Sequence, residues 1–478
     1  MSNYNNPYHK SIDWVMVVLY ILLVGFGWLN IYAANFDPEQ KIFFSVDAEY
    51  FKQLIWIGVS LVSVGIIMLV DSKMFVEIAF LLFGVSVLLL IVVLGIGREV
   101  NGAKSWFSLG PVSFQPVEFT KIGTALVVAR MMSRYNFQFT FNNYVKLLGI
   151  LLIPIALVLL QNDTGSALIF FVFLLPMYRE GLTVHILLLG LLCVVAAIAS
   201  LLIDSAIVMS VILTIALIAT IVIFNHFGDK IDATLTLIIS LLSAGALGAY
   251  LYLTNNPKFM PEYIPLGVAA LMSAFALVRS LIRRVGKVPM VLMYLWTGLV
   301  VSFATGYIFE NILIEHQRTR INILFGIEDD PLGAGYNVNQ SLIAIGSGGL
   351  LGKGFLQGTQ TKLNFVPKQS TDFIFCTVGE EWGFVGTAAL VIVYLAFFIR
   401  IISLAEKQHS VFSRVYGYCV ACIFFFHFTV NICMTIGLMP VIGIPLPFFS
   451  YGGSSLWGFS MLLFIFLKLD TDRNELIR

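Results

Sequence analysis

The residues best suited to chemistry lie in a long polar stretch, 311–371, that separates two apolar runs. An acidic cluster of Glu328, Asp329 and Asp330 stands in this stretch, directly before Pro331. A carboxylate held at such a turn on the water side of a membrane could act as a general base. The alternative is that the cluster is a solvated acidic turn.

Basic side chains near this cluster suggest a phosphate-bearing ligand, and one apolar run contains a possible ion pair. Arg318 and Arg320 lie close upstream, and their guanidinium groups suit phosphate oxygens; anchoring at a membrane interface is the alternative. Glu118 and Lys121, at i and i+3 in FQPVEFTKIG, lie on one face of a predicted helix, where they can form an ion pair. That pair could serve function or be a buried structural bridge.

Three further segments have polar or irregular sequence at predicted helix ends. Asp163, in LLQNDTGSAL, is predicted to cap the exposed amides of the next helix. The segment NQSLIAIGSGGLLGKG predicts a short re-entrant or interfacial helix followed by tight turns. GIPLPFFSYGGSSLWG (443–458) predicts discontinuous backbone, which is tolerated at membrane depth where it lines a cavity. This last segment indicates a ligand cavity that faces outward.

The elements that must position these residues are strongly apolar. The 478 residues are 59% hydrophobic and 12% charged, with a mean hydropathy of +0.92, whereas an average soluble domain has about 25% charged residues. This composition excludes a soluble enzyme, and a net charge of +1 excludes a nucleic-acid binder. The five cysteines all fall within apolar runs and indicate packing, not disulfides or a metal site. The chain has no nucleotide-binding loop, so the substrate or an ion gradient must power any chemistry.

The apolar runs predict an all-α polytopic membrane protein with about fourteen transmembrane helices of roughly 20 residues each. Because the runs do not alternate, transmembrane strands are excluded. The distribution of Lys and Arg predicts that both termini are cytoplasmic, with the loops 98–117 and 311–371 outside. The predicted spans lie near 12–34, 51–70, 74–97, 117–133, 145–160, 164–178, 183–203, 205–225, 233–255, 262–282, 289–310, 372–404, 411–437 and 446–468.

Seven motifs, taken in order, resemble those of the SEDS family of shape, elongation, division and sporulation proteins. They are FQPVEFTK, QNDTGSAL, DDPLGAGYNVNQSLIAIGSGGLLGKG, GTQTKLNFVP, TDFIF, GEEWGFVG and GIPLPFFSYGGSS. The pattern GKGxxxGTQ, at 352–360, resembles the RodA branch most. The resemblance implies a peptidoglycan glycosyltransferase of the cytoplasmic membrane. Such an enzyme would polymerise lipid II into glycan strands on the outer face, for cell elongation and shape.

The resemblance also implies roles for individual residues. The catalytic Asp of the family's DPxGxGY element falls on Asp330, as general base of an inverting reaction, with Asp329 as the local alternative. A divalent cation, Mg²⁺ or Mn²⁺, is implied by family analogy alone, since the sequence shows no metal-ligand set. The implied substrate-binding residues are Glu118, Lys121, Arg318, Arg320, Gln340, Ser341, Asp372 and Lys104. Lys104 stands beside Ser105, where the family usually has arginine, and Lys368 and Ser370 are further departures.

The family usually has ten spanning helices, so about fourteen imply an insertion of about four. The resemblance therefore divides the chain into an N-terminal part of the core (1–182, helices 1–6), inserted helices (183–288) and a C-terminal part of the core (289–478). It implies a class B penicillin-binding protein, a monofunctional transpeptidase, as partner, together with other elongation-complex membrane proteins and no nucleic acid. Two alternatives stay open: a flippase that transports lipid II, and a scaffold for the transpeptidase.

Overall fold

The computed structural model describes residues 12–36, 48–100, 102–109, 112–227, 229–254, 261–313, 315–325, 327, 335–363 and 365–473. The acidic cluster Glu328, Asp329 and Asp330 lies outside the described residues. The described chain is mainly helical and divides into two compact units, formed by 1–182 with 326–478 and by 183–325. These are called the first and second unit.

Within the described residues, twelve helices are long and apolar enough to cross a membrane. Each coincides with a predicted span, which confirms an all-α polytopic membrane protein. The predicted count of fourteen is not confirmed, because the other two predicted spans form short helical segments. Pro116–Met132 has 17 residues and contains the Glu118–Lys121 pair, and Thr164–Arg179 includes a 3₁₀ turn at Phe170–Phe173.

The first unit is built around its two C-terminal helices. Val411–Thr435 and Gly453–Thr471 are the most buried of the twelve spans among the described residues. Aromatic rings from three parts of the chain fill the space beside these helices. The centre of the Phe448 ring lies 5.1 Å from that of Phe424 and 5.7 Å from that of Phe397. The unit's helices are Trp14–Ala34, Glu49–Leu69, Ser72–Glu77, Ala79–Ile96, Pro116–Met132, Phe141–Leu160, Thr164–Ile169, Phe170–Phe173, Leu174–Arg179, Tyr336–Ser347, Thr359–Lys362, Ile374–Glu406, Val411–Thr435 and Gly453–Thr471.

One face of the first unit gathers both ends of its described chain. Asp13, which caps the first helix, pairs with Arg400, and Asp470 in the last helix accepts a hydrogen bond from Gln408 at 2.6 Å. Ser72 bonds to Asp472 at the same end of the last helix. Residues 13 and 470–472 therefore lie at the same face of the first unit.

The predicted outer loop 98–117 contains a small antiparallel sheet that the sequence analysis did not anticipate. Its three strands, Arg98–Val100, Ala103–Leu109 and Val112–Phe114, pair in chain order. Val100 pairs with Ala103 across a two-residue connection that contains Gly102 at φ 84°. Glycine adopts positive φ without steric cost, as a tight hairpin requires.

The second unit is a bundle with its own core. Buried side chains that include Met209, Phe224, Met272 and Leu299 pack together between its long helices. At one end, the buried carboxylate of Asp232 pairs with Arg279. The helices are Val184–Leu202, Ser205–His226, Lys230–Thr254, Tyr263–Arg283, Val288–Asn311 and Glu315–Leu324.

Candidate active site

The segment that follows Asp330 folds as the sequence predicts. A helix, Tyr336–Ser347, is followed by turns in which Gly349, Gly352 and Gly354 have positive φ. This confirms the predicted short helix and tight turns. The end of the segment is therefore ordered by backbone geometry that favours glycine.

These turns lie directly against the backbone of a kinked span, Ile374–Glu406. The kink is at Gly383, with φ 64°. A Cβ at Gly348 would overlap the carbonyl oxygen of Gly379, and one at Gly383 would overlap the amide nitrogen of Gly352. Two segments can approach this closely only where side chains are absent, so the contact, 348–354 against 379–385, is called the glycine seam.

Hydrogen bonds hold the glycine seam in register. The amides of Lys353 and Gly354 donate to the carbonyls of Glu380 and Glu381, each at 3.0 Å. In the opposite direction, the amides of Phe384 and Val385 donate to the carbonyls of Gly349 and Leu350, at 2.9 and 3.0 Å. The loop after Tyr336–Ser347 is therefore fixed to the span by main-chain bonds.

Glu380 anchors the short helix Thr359–Lys362, in the GTQTK motif. Its fully buried carboxylate accepts hydrogen bonds from the amides of Thr359, Gln360 and Thr361 at 2.7 to 2.9 Å, and it pairs with Lys353 at 2.7 Å. A carboxylate is favoured at exposed helix N-terminal amides. Glu380 therefore has a structural task that the sequence analysis did not assign.

Glu118 and Lys121 form the predicted ion pair, with Lys121 Nζ 2.8 Å from Glu118 Oε2. The pair is buried, and Lys121 Nζ also lies 3.1 Å from His427 Nε2 and 4.8 Å from the centre of the Phe459 ring. On its other side, His427 Nδ1 is 3.2 Å from the Pro445 carbonyl oxygen. A carbonyl only accepts, so Nδ1 carries the proton and Nε2 accepts from Lys121.

Asp372 lies just before the kinked span Ile374–Glu406, close to the discontinuous segment predicted at 443–458. Its backbone carbonyl accepts from Asn431 Nδ2 at 2.8 Å, and the same amide donates to Ile444 O at 2.7 Å. Its carboxylate is 15% exposed, 4.0 Å from Lys368 Nζ, and would lie 3.4 Å from a Cβ at Gly443. Burial raises the pKa of the Asp372 carboxyl, and the charge of Lys368 partly offsets this.

The predicted cap at Asp163 is confirmed. Its Oδ1 accepts from the Ser166 amide at 3.0 Å at the start of helix Thr164–Ile169, and its Oδ2 accepts from Gln115 Nε2 at 3.0 Å. The backbone at Gly165 lies against Ile442. The segment 442–446 therefore contacts the capped helix, Asp372, and the helix face formed by His427 and Asn431. The polar residues around it are called the polar site: Glu118, Lys121, Asp163, Asp372, His427 and Asn431.

Three other predicted substrate-binding residues lie in the first unit. Ser341 is fully buried, and its hydroxyl donates to the Thr435 carbonyl at 2.9 Å. Gln340 is half-buried on the same helix. Lys104 lies in the small sheet, where its Nζ donates to the Gly95 carbonyl at 3.0 Å, and Ser105 beside it is buried.

The two predicted arginines belong to the second unit. Arg318 Nε donates to the Leu313 carbonyl at 3.0 Å, and another guanidinium nitrogen donates to the Glu310 carbonyl at 2.6 Å. These carbonyls lie at the end of Val288–Asn311, where a cation complements the helix dipole. Arg320 is placed on the helix Glu315–Leu324.

His427 and Asn431 were missed in the sequence analysis, although their signal is readable. They are two polar residues at i and i+4 in FFFHFTVN, so they share a face of an otherwise apolar helix. Both side chains hold carbonyls of the segment 444–445. Polar residues at helical spacing inside a span are functional candidates by default.

We expect Lys121→Met and His427→Leu to have strongly non-additive effects on the free energy of unfolding. Each removes one partner of the same buried contact, and contacting residues couple by about 0.5–3 kcal/mol in double-mutant cycles. Thermal unfolding of the two single variants and the double variant checks this. Additive effects would contradict the contact.

We expect Asp372→Asn to be at least as stable as wild type near neutral pH. A carboxyl whose pKa is raised on folding binds its proton more tightly in the folded state, so stability falls as pH rises from its ordinary value of 3.8 to the raised value. Asparagine removes this cost. The difference in unfolding midpoint should disappear in acid below that ordinary value, and a difference that grows in acid would reverse the assigned direction.

The described residues contain no cluster of metal-ligating side chains. Across the described ranges, no group of three or more His, Cys, Asp or Glu side chains could hold a metal ion. The acidic cluster 328–330 lies outside these ranges, so the divalent cation that the family resemblance implies stays a prediction. The residues of the polar site can supply charge and can position a ligand around the segment 442–446.

Comparison with known proteins places the chain among bacterial cell-wall enzymes. The peptidoglycan glycosyltransferase RodA of Treponema pallidum is 32% identical over 460 residues, covering 94% of this chain and 95% of that protein. The peptidoglycan glycosyltransferase MrdB of Escherichia coli is 30% identical over 375 residues, covering 78% of this chain and 73% of that protein.

Solved structures agree with this assignment. A chain from a peptidoglycan synthase complex that coordinates polymerization and crosslinking matches with a TM-score of 0.63 and 26% identity, covering 97% of this chain and 99% of that one. The Thermus thermophilus rod shape determining protein RodA matches in fold, with a TM-score of 0.56 at 23% identity, covering 99% and 100%. The model of the FtsW/RodA/SpoVE family, described as a cell cycle protein, matches residues 13–242 and 265–475. The chain therefore belongs to the FtsW/RodA/SpoVE family.

Proposed function

We propose that this multi-pass peptidoglycan glycosyltransferase polymerises lipid II into glycan strands on the outer face of the cytoplasmic membrane, for cell elongation and shape. The observation that carries the proposal is the nearly full-length match to a peptidoglycan glycosyltransferase named RodA. Lipid II carries its own leaving group, a pyrophosphate, so the reaction needs no nucleotide. This agrees with a sequence that has no nucleotide-binding loop.

Asp330 is the proposed general base. It takes the proton from the 4-hydroxyl of the acceptor sugar, whose oxygen then attacks the anomeric carbon of the donor. The bond to the α-linked pyrophosphate breaks and a β-linkage forms, so the configuration inverts. Support comes from the ordered helix Tyr336–Ser347 and the glycine seam, which hold the chain shortly after this residue.

The remaining proposed contacts stabilise charge and position substrate. Negative charge develops on the departing pyrophosphate, and fixed positive groups lower the barrier by stabilising it. We assign this task to Lys121, Arg318, Arg320 and Lys104, and assign substrate positioning to Glu118, Gln340, Ser341 and Asp372. A divalent cation, Mg²⁺ or Mn²⁺, is proposed by family analogy alone, and no step is assigned to it.

The proposed partner is a class B penicillin-binding protein, which would crosslink the strands that this chain makes, alongside other elongation-complex membrane proteins. Support comes from the structural match to a chain of a complex that coordinates polymerization and crosslinking. For the residues 183–288, we propose a peripheral role in packing, lipid contact or partner binding. The exposed apolar side chains of this segment support contact with lipid.

The test is polymerisation of lipid II by the purified chain, alone and with its transpeptidase, read as glycan length on a gel. In parallel, the same protein in liposomes is assayed for movement of labelled lipid II between leaflets. Glycan without lipid II movement is the expected result. Movement without glycan would replace the proposal with a flippase, and neither activity in the confirmed complex would replace it with a scaffold.

A further inference from the structure

Two tight turns lie side by side at one end of the second unit. The first joins Ser205–His226 to Lys230–Thr254, and its Asp229 amide donates to the Phe224 carbonyl at 3.0 Å. The second joins Tyr263–Arg283 to Val288–Asn311, and its Val285 amide donates to the Ser280 carbonyl at 2.9 Å. Phe224 and Val285 belong to one buried apolar cluster, so the two turns share a face.

Ion pairs join the two turns. The fully buried Asp232 carboxylate accepts from Arg279 Nε at 2.8 Å and lies 3.5 Å from Arg283 Nε. Arg283 also lies 3.4 Å from Asp229. Both acids of this end are therefore neutralised by two of its arginines.

The same end retains an excess of positive charge. Residues 229–232 and 279–287 contain five basic side chains and two acids, a net charge of 5 − 2 = +3. After the ion pairs, Lys230, Arg284 and Lys287 remain, and all three are exposed. None of them forms an ion pair with another residue in the described ranges. They are called the basic face.

Exposed apolar side chains border the basic face. Ile231 is 72% exposed and Leu281 is 68% exposed, with Phe227 and Ile282 also exposed beside the turns. Apolar side chains exposed at the end of a spanning helix belong at hydrocarbon depth, and adjacent Lys and Arg side chains reach the headgroup level. This combination suits a ligand with a negative head and apolar tails.

We propose that the basic face binds the phosphate groups of anionic phospholipids at the cytoplasmic surface of the membrane. Basic clusters beside spanning helices attract anionic lipids by about 1 kcal/mol for each Lys or Arg. A soluble acidic ligand would contact the three basic side chains but would leave the exposed apolar side chains beside them uncovered. The arrangement therefore favours a lipid, and the site would retain anionic lipid around the second unit.

The test compares lipid retention by the full chain and its variants in nanodiscs of phosphatidylglycerol and phosphatidylcholine, with bound lipid counted by native mass spectrometry. Arg284→Gln with Lys287→Gln is expected to lower the preference for phosphatidylglycerol on the order of tenfold. Lys230→Gln should lower it less, in the same direction. The matched control is Arg134→Gln with Lys146→Gln, which removes two exposed basic side chains of the first unit.

An unchanged preference in the Arg284/Lys287 variant would overturn the proposal. So would an equal fall in the control, which would indicate a response to total charge alone, or an equal loss of phosphatidylcholine, which would indicate general loss of lipid contact. The readout is lipid count and not glycan synthesis. The proposal can therefore fail while the enzymatic function stands, and the reverse also holds.

Discussion

Replacing Asp330 by asparagine is expected to lower the rate of lipid II polymerisation by about 10²–10⁴-fold, the usual contribution of a general base. Asparagine keeps the size and polarity of the side chain but cannot take the proton from the acceptor hydroxyl. Binding of lipid II should change little, because the base acts on the hydroxyl in the transition state. The measurement is initial rate and lipid II affinity for purified wild type and variant in the same detergent, with the transpeptidase present.

The matched control is Asp329→Asn, which removes the same charge from the neighbouring position. It should retain most of the activity if Asp330 is the base. A large loss in Asp329→Asn with activity preserved in Asp330→Asn would transfer the role to Asp329. Equal partial losses in both variants would indicate that the cluster acts through its charge and not through one proton acceptor.

Glu380→Leu is expected to destabilise the protein by about 3–5 kcal/mol, the usual cost of breaking a buried ion pair from one side. The variant leaves the Lys353 ammonium without its carboxylate, and it leaves three amides of the helix 359–362 without their acceptor. Glu380→Gln keeps one acceptor oxygen and should cost less. Thermal and denaturant unfolding in detergent, followed by tryptophan fluorescence, measure the loss.

Glu406→Gln is the comparison variant for this measurement. Glu406 also forms an ion pair, with Arg179, but both side chains are about half exposed, and exposed pairs contribute little. Its unfolding midpoint should stay close to wild type. If the unfolding midpoint of Glu380→Leu also stays close to wild type, the anchoring role of Glu380 is wrong.

The features that sequence predicted well are those set by local rules. Spans follow from uninterrupted apolar length, the Asp163 cap follows from its place before a helix, and the Glu118–Lys121 pair follows from helical spacing. Each depends on residues close together in the chain. Tertiary packing supports these local preferences here and does not override them.

The partners of the polar site depend on contacts that no local pattern contains. The contact between Lys121 and His427 joins residues 306 apart, and Asn431 joins Asp372 to Ile444. Ser341 was predicted from its motif to bind substrate, and its hydroxyl donates a hydrogen bond to the carbonyl of Thr435. Which polar group faces which carbonyl is decided by how the helices pack, so the sequence shows the candidates but not the pairings.

The glycine seam has a consequence for the lengths of its two segments. Gly348 lies against Gly379, and Gly352 lies against Gly383. The two glycines therefore have the same separation in sequence in each segment. Inserting one residue at 350 would move Gly352 out of line with Gly383. A side chain would then overlap the backbone of the facing segment. Substituting Leu350 or Leu351, which are 72% and 80% exposed, would leave the match intact. This part of the protein should therefore tolerate changes of residue type on its outer surface while tolerating no change in length.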